Sequence, residues 1–214
     1  MIIHVIGLEG SGHHGLESVI VNILHKSNNY VHKEKLNNKI LQKSRNCDSN
    51  SIFEKEVEQY LKNKDYLIYT DDSYPSGNNR TINQHKNIIK IYDTISKYNE
   101  IIFIYLKRDI YNTINSHPTL DGNIINHTKV LKESKKYIEN QIKLLKDKNV
   151  KVIELNYEDI DKDIGIKKIS EVFKVNFEIV KDSVNKNFKK STKNYIDILD
   201  IDTIQEMIKI LSTD

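Results

Sequence analysis

Four runs rich in strand formers punctuate the chain: Ile2 to Ile6, Tyr66 to Tyr69, Ile101 to Leu106 and Val150 to Leu155, interrupted only by His4, Lys151 and Glu154. None alternates with polar positions, as a strand with one wet face does, so each is expected to be buried on both faces. Each also runs into a polar or glycine-containing turn. Between and beyond them apolar residues recur at helical spacing over 13–27, 52–64, 82–98, 109–116, 124–148, 165–174 and 201–212. Strands separated by helices predict parallel βαβ units. The expected architecture is therefore α/β, in three layers, with a central parallel sheet of four to five strands and helices on both faces. For the four main strands the expected order is 2-3-1-4. The stretch 28–51 is polar, rich in Asn and weakly periodic, and reads as an irregular excursion and candidate lid. No repeat and no linker divides the sequence, so a single domain over 1–214 is expected.

Composition sharpens where to look. The chain has 30 Lys, three Arg (Arg45, Arg80, Arg108), no Ala and no Trp. Against such a background, a scarce residue type marks the places where chemistry requires it. Four of the seven glycines (Gly7, Gly10, Gly12, Gly15) fall in the first fifteen residues, and two of the three arginines sit in polar segments beside predicted strand ends.

The remaining features mainly exclude. A charged fraction of 29% with both signs interleaved, beside 38% hydrophobic residues, fits a globular chain and not a disordered one. A net charge of +3 is too small to call for a nucleic-acid partner. No apolar run approaches a membrane span and no basic leader precedes the first strand, so a cytoplasmic protein without a membrane partner is expected. The lone Cys47 forms neither an intrachain disulfide nor a Cys-rich zinc site. Lys181, Lys186, Lys189, Lys190 and Lys193 read as a solvated face.

In an α/β sheet, ligands bind beyond the carboxyl ends of the strands. The first such segment, Gly7-Leu8-Glu9-Gly10-Ser11-Gly12-His13-His14, has the glycine spacing of the phosphate loop G-x-x-x-x-G-K-[ST]. His13 stands where that loop's Lys reaches the β and γ phosphates, and His14 where its hydroxyl holds magnesium. This argues against ATP with Mg²⁺ and for a phosphate held by amides, helix dipole and imidazole. The alternative is a glycine-rich turn with a polar helix start. After the third strand come Lys107, Arg108 and Asp109, then a short helix reaching Ser116, eight residues beyond Arg108. That spacing lets the strand end and the helix end converge on one phosphate. The alternative for Arg108 is a surface ion pair with Asp109 or another nearby acid.

The pairing of this first loop with strand-[KR]-R-D-x-x-x-x-x-x-S resembles the sulfotransferases that use 3′-phosphoadenylyl sulfate. Asn156-Tyr157-Glu158-Asp159-Ile160 after the last strand is similar to the Tyr-Glu-Asp-Leu segment of many members, and the resemblance spans residues 2 to 175. It implies a P-loop-type fold binding 3′-phosphoadenylyl sulfate, or its product adenosine 3′,5′-bisphosphate, without a metal. Gly10, Ser11, Gly12, His13 and His14 would then face the 5′-phosphosulfate, and Arg108 and Ser116 the 3′-phosphate. Tyr157 and Glu158 would be architectural.

The second loop, Tyr69 to Arg80, carries Asp71-Asp72-Ser73, which aligns with a Glu-Lys-Ser of heparan-type members. Asp71 is the first candidate for the base that activates an acceptor, and Asp72 the second. An Asx turn explains Asp72 and Ser73 as well. Ser73 and Arg80 are candidates for acceptor or phosphosulfate contacts, and Arg80 alternatively pairs with Glu9. The family's lysine beside the first loop has no counterpart, since Gly10 fills one common position for it. His13 or His14 would serve as donor to the leaving group. Lys189, Lys190 and Lys193 would stand in for a C-terminal basic loop. The expected reaction is sulfuryl transfer to a hydroxyl or amine. An atypical P-loop nucleotide or nucleoside kinase, and a nucleotide-binding module without activity, are the competing readings.

Overall fold

The computed structural model describes residues 1–27, 31–33, 66–69, 73–75, 87–97, 100–116, 123–190 and 195–213. Within them lie, in chain order, strand β1 (Ile2–Leu8), helix α1 (His13–Lys26), strands β2 (Val31–Lys33), β3 (Tyr66–Tyr69) and β4 (Ser73–Tyr74), helix α2 (Ile88–Ile95), strand β5 (Ile101–Lys107), helices α3 (Ile110–Ser116) and α4 (Ile124–Asp147), strand β6 (Val152–Asn156), and helices α5 (Asp163–Phe173), α6 (Phe177–Asn187) and α7 (Ile201–Ser212). The predicted helix over 52–64, most of the 28–51 excursion and the start of the 82–98 helix fall outside the described residues.

The fold is mixed α/β, with helices on a small parallel sheet centred on three strands, β1, β5 and β6. The short segments β3 and β4 add to the other side of β1, and β2 to β3. The four apolar runs thus stand in the order 66–69, 2–8, 101–107, 152–156, not in the expected 2-3-1-4. The reason is length: β1 and β5 pair from Ile2↔Ile101 to Gly7↔Leu106, and this pairing satisfies the longest stretch of buried backbone in the sheet. Val31–Lys33, part of the stretch read as irregular, is a strand outside β3. With it counted and the two-residue β4 set aside, chain order across the sheet is 2-3-1-4-5.

Burial on both faces follows from the apolar runs. All seven residues of β1 are buried. Ile2, Ile6 and Leu8 join Phe103 and Tyr105 under α2, α3, α4 and α7. Ile3 and Val5 join Ile102, Ile104 and Leu106 under α1, α5 and α6. Each fully buried Ile or Leu contributes about 1.5–3 kcal/mol relative to exposure, so the sheet centre is a rigid base for the loops at its carboxyl end. α1 buries Leu16, Val19, Ile20, Ile23 and Leu24 at the spacing of a helical stripe. That packing anchors the turn preceding it. No helix among the described residues is long and apolar enough to cross a membrane.

Candidate functional site

The first loop leaves β1 at Leu8 and enters α1 at His13. Gly10 (φ 78°) and Gly12 (φ 85°) are both left-handed, a conformation that costs other residues a clash with their own Cβ. The Ser11 amide donates to the Leu8 carbonyl (2.9 Å), and the Glu9 amide to Tyr74 in the second loop (2.8 Å). Close packing explains the other two glycines. A Cβ on Gly7 would lie 2.2 Å from Ser11 Oγ, and one on Gly15 3.1 Å from the Phe188 ring. α1 begins with no side-chain cap and no acid in its first turn. The positive end of its dipole therefore faces the loop, and the first carboxylate along the helix is that of the buried Glu17.

The two histidines, equivalent on the sequence, differ in the fold. His13 is 3% exposed, its Nδ1 3.2 Å from the Oγ of the fully buried Ser11. His14 is 70% exposed, with its ring centroid 4.1 Å from that of His13 and its Nδ1 3.6 Å from Glu17 Oε2. Glu17 is 2% exposed, and no motif in the sequence marks it. His13 thus braces the loop from beneath, and His14 presents an imidazole backed by a buried carboxylate. Among the described residues no group of three or more His, Cys, Asp or Glu is placed to hold a metal ion.

Arg108 follows β5, the strand beside β1, and reaches across to the loop: its Nη1 donates to the Gly10 carbonyl at 2.7 Å. Its guanidinium carbon sits 3.9 Å from the centroid of the Tyr157 ring. Burial pulls the guanidinium below its ordinary value, while Tyr157, Glu158 and Asp109 act in the opposite sense. It stays cationic at neutral pH. Asp109 is engaged locally, since its carboxylate accepts from the Asn112 amide (3.0 Å) at the start of α3. Ser116 ends that helix with its hydroxyl donated to the Thr113 carbonyl (3.1 Å). The side-chain contacts of Arg108 lead toward the first loop, and those of Ser116 back into its own helix.

Tyr157, read from the sequence as architecture, is where these parts meet. Besides carrying Arg108, its ring lies where a Cβ on Gly12 would come within 2.5 Å. It packs on Phe188 (centroids 5.2 Å apart) and has Lys190 Nζ 6.0 Å from its centroid. Lys190 donates to Asp161 (2.6 Å) and to the Glu158 carbonyl (3.2 Å), so one lysine of the basic cluster stands at the site's rim. Phe188 and α6 carried no clear sequence signal. The helix's buried positions, Val180, Ser183 and Val184, are masked by the lysines of its outer face.

Of the second loop, Ser73 enters through its backbone, paired with Gly7. Asp71, Asp72 and Arg80 lie outside the described residues, as do Cys47 and Lys193. The described site is thus a cradle built of left-handed glycines, a helix amino end, an exposed imidazole and a half-buried guanidinium at the carboxyl ends of adjacent parallel strands. No protein-family model and no curated protein matches the chain.

Proposed function

We propose that this cradle binds the 5′-phosphosulfate of 3′-phosphoadenylyl sulfate and that the protein transfers its sulfuryl group to a hydroxyl or amine. The observation that carries the reading is the first loop, in which two left-handed glycines precede an uncapped, acid-free helix start while Arg108 closes on the loop from β5. The strand order, with β1 between β3 and β5, supports a P-loop-type arrangement because it puts the first loop at the centre of the sheet's carboxyl edge.

In this reaction the acceptor oxygen or nitrogen forms a new bond to sulfur as the bond from sulfur to the 5′-phosphate oxygen breaks. Adenosine 3′,5′-bisphosphate leaves with the electron pair. The acceptor proton passes to a base, Asp71 first and Asp72 second, and Ser73 and Arg80 are assigned to the acceptor side. Loop amides and His14 neutralise the charge developing on the leaving oxygen, while His13 and Ser11 hold the loop's shape. The 3′-phosphate is assigned to Arg108 and Ser116.

The test is thermal unfolding in EDTA with adenosine 3′,5′-bisphosphate. At a hundred times its dissociation constant a ligand stabilises by about 2.7 kcal/mol, and at about 2–4 °C per kcal/mol for a chain this long the midpoint rises by about 5–11 °C. No rise with the bisphosphate, beside a rise with ATP and magnesium, would refute the reading in favour of a kinase.

A further inference from the structure

Arg108 does something that a phosphate ligand alone would not. The peptide joining Gly10 to Ser11 is held at both ends: its oxygen accepts from Arg108 Nη1 at 2.7 Å, and its N–H donates to the Leu8 carbonyl at 2.9 Å. Gly10 is left-handed, and with no Cβ it is the kind of residue at which a peptide plane can turn over. A turned plane would break both bonds at once and reshape the backbone leading to the amides at the start of α1, where an anion would bind. Arg108 opposes that turn with a charge-assisted hydrogen bond.

The guanidinium is itself held over the Tyr157 ring, its carbon 3.9 Å from the centroid. The same ring limits the space beside Gly12, two residues along the loop. Arg108 Nε is buried with no hydrogen-bond partner among the described residues, so the side chain is set by its stacking and its bond to Gly10.

We propose that Arg108, seated on Tyr157, is a positioning residue that locks the Gly10–Ser11 peptide, so that it governs the loop's affinity for any 5′-phosphate whether or not a 3′-phosphate is present. The part of this concerning nucleotides rests on the function proposed above, and the part concerning the loop does not.

The experiment has two arms. In the first, adenosine 5′-monophosphate and adenosine 3′,5′-bisphosphate are titrated calorimetrically into wild type, Arg108→Ala, Arg108→Lys and Tyr157→Leu. A hydrogen bond from a charged donor is worth about 1.5–3 kcal/mol, or about tenfold to a hundredfold in affinity. Arg108→Ala is expected to weaken the 5′-monophosphate by at least about tenfold, and the bisphosphate by no less. Arg108→Lys is expected to recover only part of this, because an ammonium lacks the flat face that stacks on Tyr157. Tyr157→Leu is expected to weaken both ligands, with little further loss when combined with Arg108→Ala. An unchanged affinity for the 5′-monophosphate in Arg108→Ala, beside a weakened bisphosphate, would overturn the lock and leave the sulfotransferase reading standing.

The second arm needs no ligand: amide exchange in wild type and Arg108→Ala. The Ser11 amide, bonded to Leu8, is expected to exchange at least about tenfold faster in the variant, with Ile20 and Ile23 in α1 unchanged. Equal protection of Ser11 in both proteins would overturn the lock even if wild type bound neither nucleotide, an outcome that would by itself defeat only the proposed function.

Discussion

Replacing Gly12 with alanine isolates the geometry on which the first loop depends. Two costs add. The residue sits at φ 85°, where an L side chain meets its own backbone, at about 1–2 kcal/mol. The new Cβ would also lie 2.5 Å from Tyr157 Cε2 and 3.0 Å from Cδ2, which forces the ring to move. That ring is fixed between Arg108 and Phe188, so the displacement is an overpacking cost of about 1–3 kcal/mol. A loss near 3 kcal/mol lowers the unfolding midpoint by about 6–12 °C. Gly15→Ala is the control. Its Cβ meets Phe188 at 3.1 Å without a left-handed backbone, and a helix-propensity gain of up to about 1 kcal/mol offsets that contact. Differential scanning calorimetry of wild type and the two variants, without ligand, measures the difference. Equal midpoints for Gly12→Ala and Gly15→Ala would refute the claim that Tyr157 closes the space beside the loop.

The adjacent histidines should separate under the same assay. His13→Ala empties a buried site and is expected to cost about 2 kcal/mol or more, whereas His14→Ala, at an exposed position, should stay within about 0.5 kcal/mol. If His14→Ala weakens adenosine 3′,5′-bisphosphate while leaving the midpoint unchanged, the imidazole faces the ligand. Unchanged affinity would remove His14 from the site. At the far edge of the sheet, burial acts to raise the Glu154 carboxyl, but hydrogen bonds from Lys107 and Lys146 outweigh it and hold the group below its ordinary value of 4.5. A carboxyl lowered in the folded state stabilises above its unfolded value, and that contribution fades as pH falls through the folded one. The gap in urea midpoint between wild type and Glu154→Gln should therefore be widest near neutrality and close below pH 4.5. With both lysines about half exposed it should amount to less than about 1 kcal/mol. A gap that widens on acidification would contradict the assignment.

What the sequence made legible tracks the range of the interactions involved. β1 and β5 announce themselves because burial on both faces leaves nearly continuous apolar runs, β6 through Val152, Ile153 and Leu155 although it is only partly buried, and α4 and α7 because their stripes are long. β2 is three residues in a polar stretch and takes its identity from pairing with β3, so no local pattern marks it. α6 hides for the opposite reason: its four apolar residues are outnumbered by seven polar ones, and no stripe longer than two turns marks it. The strand order was misassigned because adjacency depends on which strands can pair along their full length, a property of two segments together. In the site, Gly10 and Gly12 were legible from spacing, and both adopt the backbone that only glycine takes readily. The division of labour between His13 and His14 was not, since it depends on which ring is buried against Ser11 and which stays exposed beside Glu17. Nor was the convergence of Gly12, Arg108 and Phe188 on Tyr157, which joins segments far apart in the chain.

The central claim is that the loop at the head of α1 takes the phosphate end of 3′-phosphoadenylyl sulfate without a metal. Calorimetric titration tests it most directly, with adenosine 3′,5′-bisphosphate in EDTA against ATP with magnesium. The account predicts saturable one-site binding of the bisphosphate, lost in Gly12→Ala, and no comparable binding of the ATP–magnesium complex. Binding of ATP–magnesium alone, or of neither nucleotide, would contradict it.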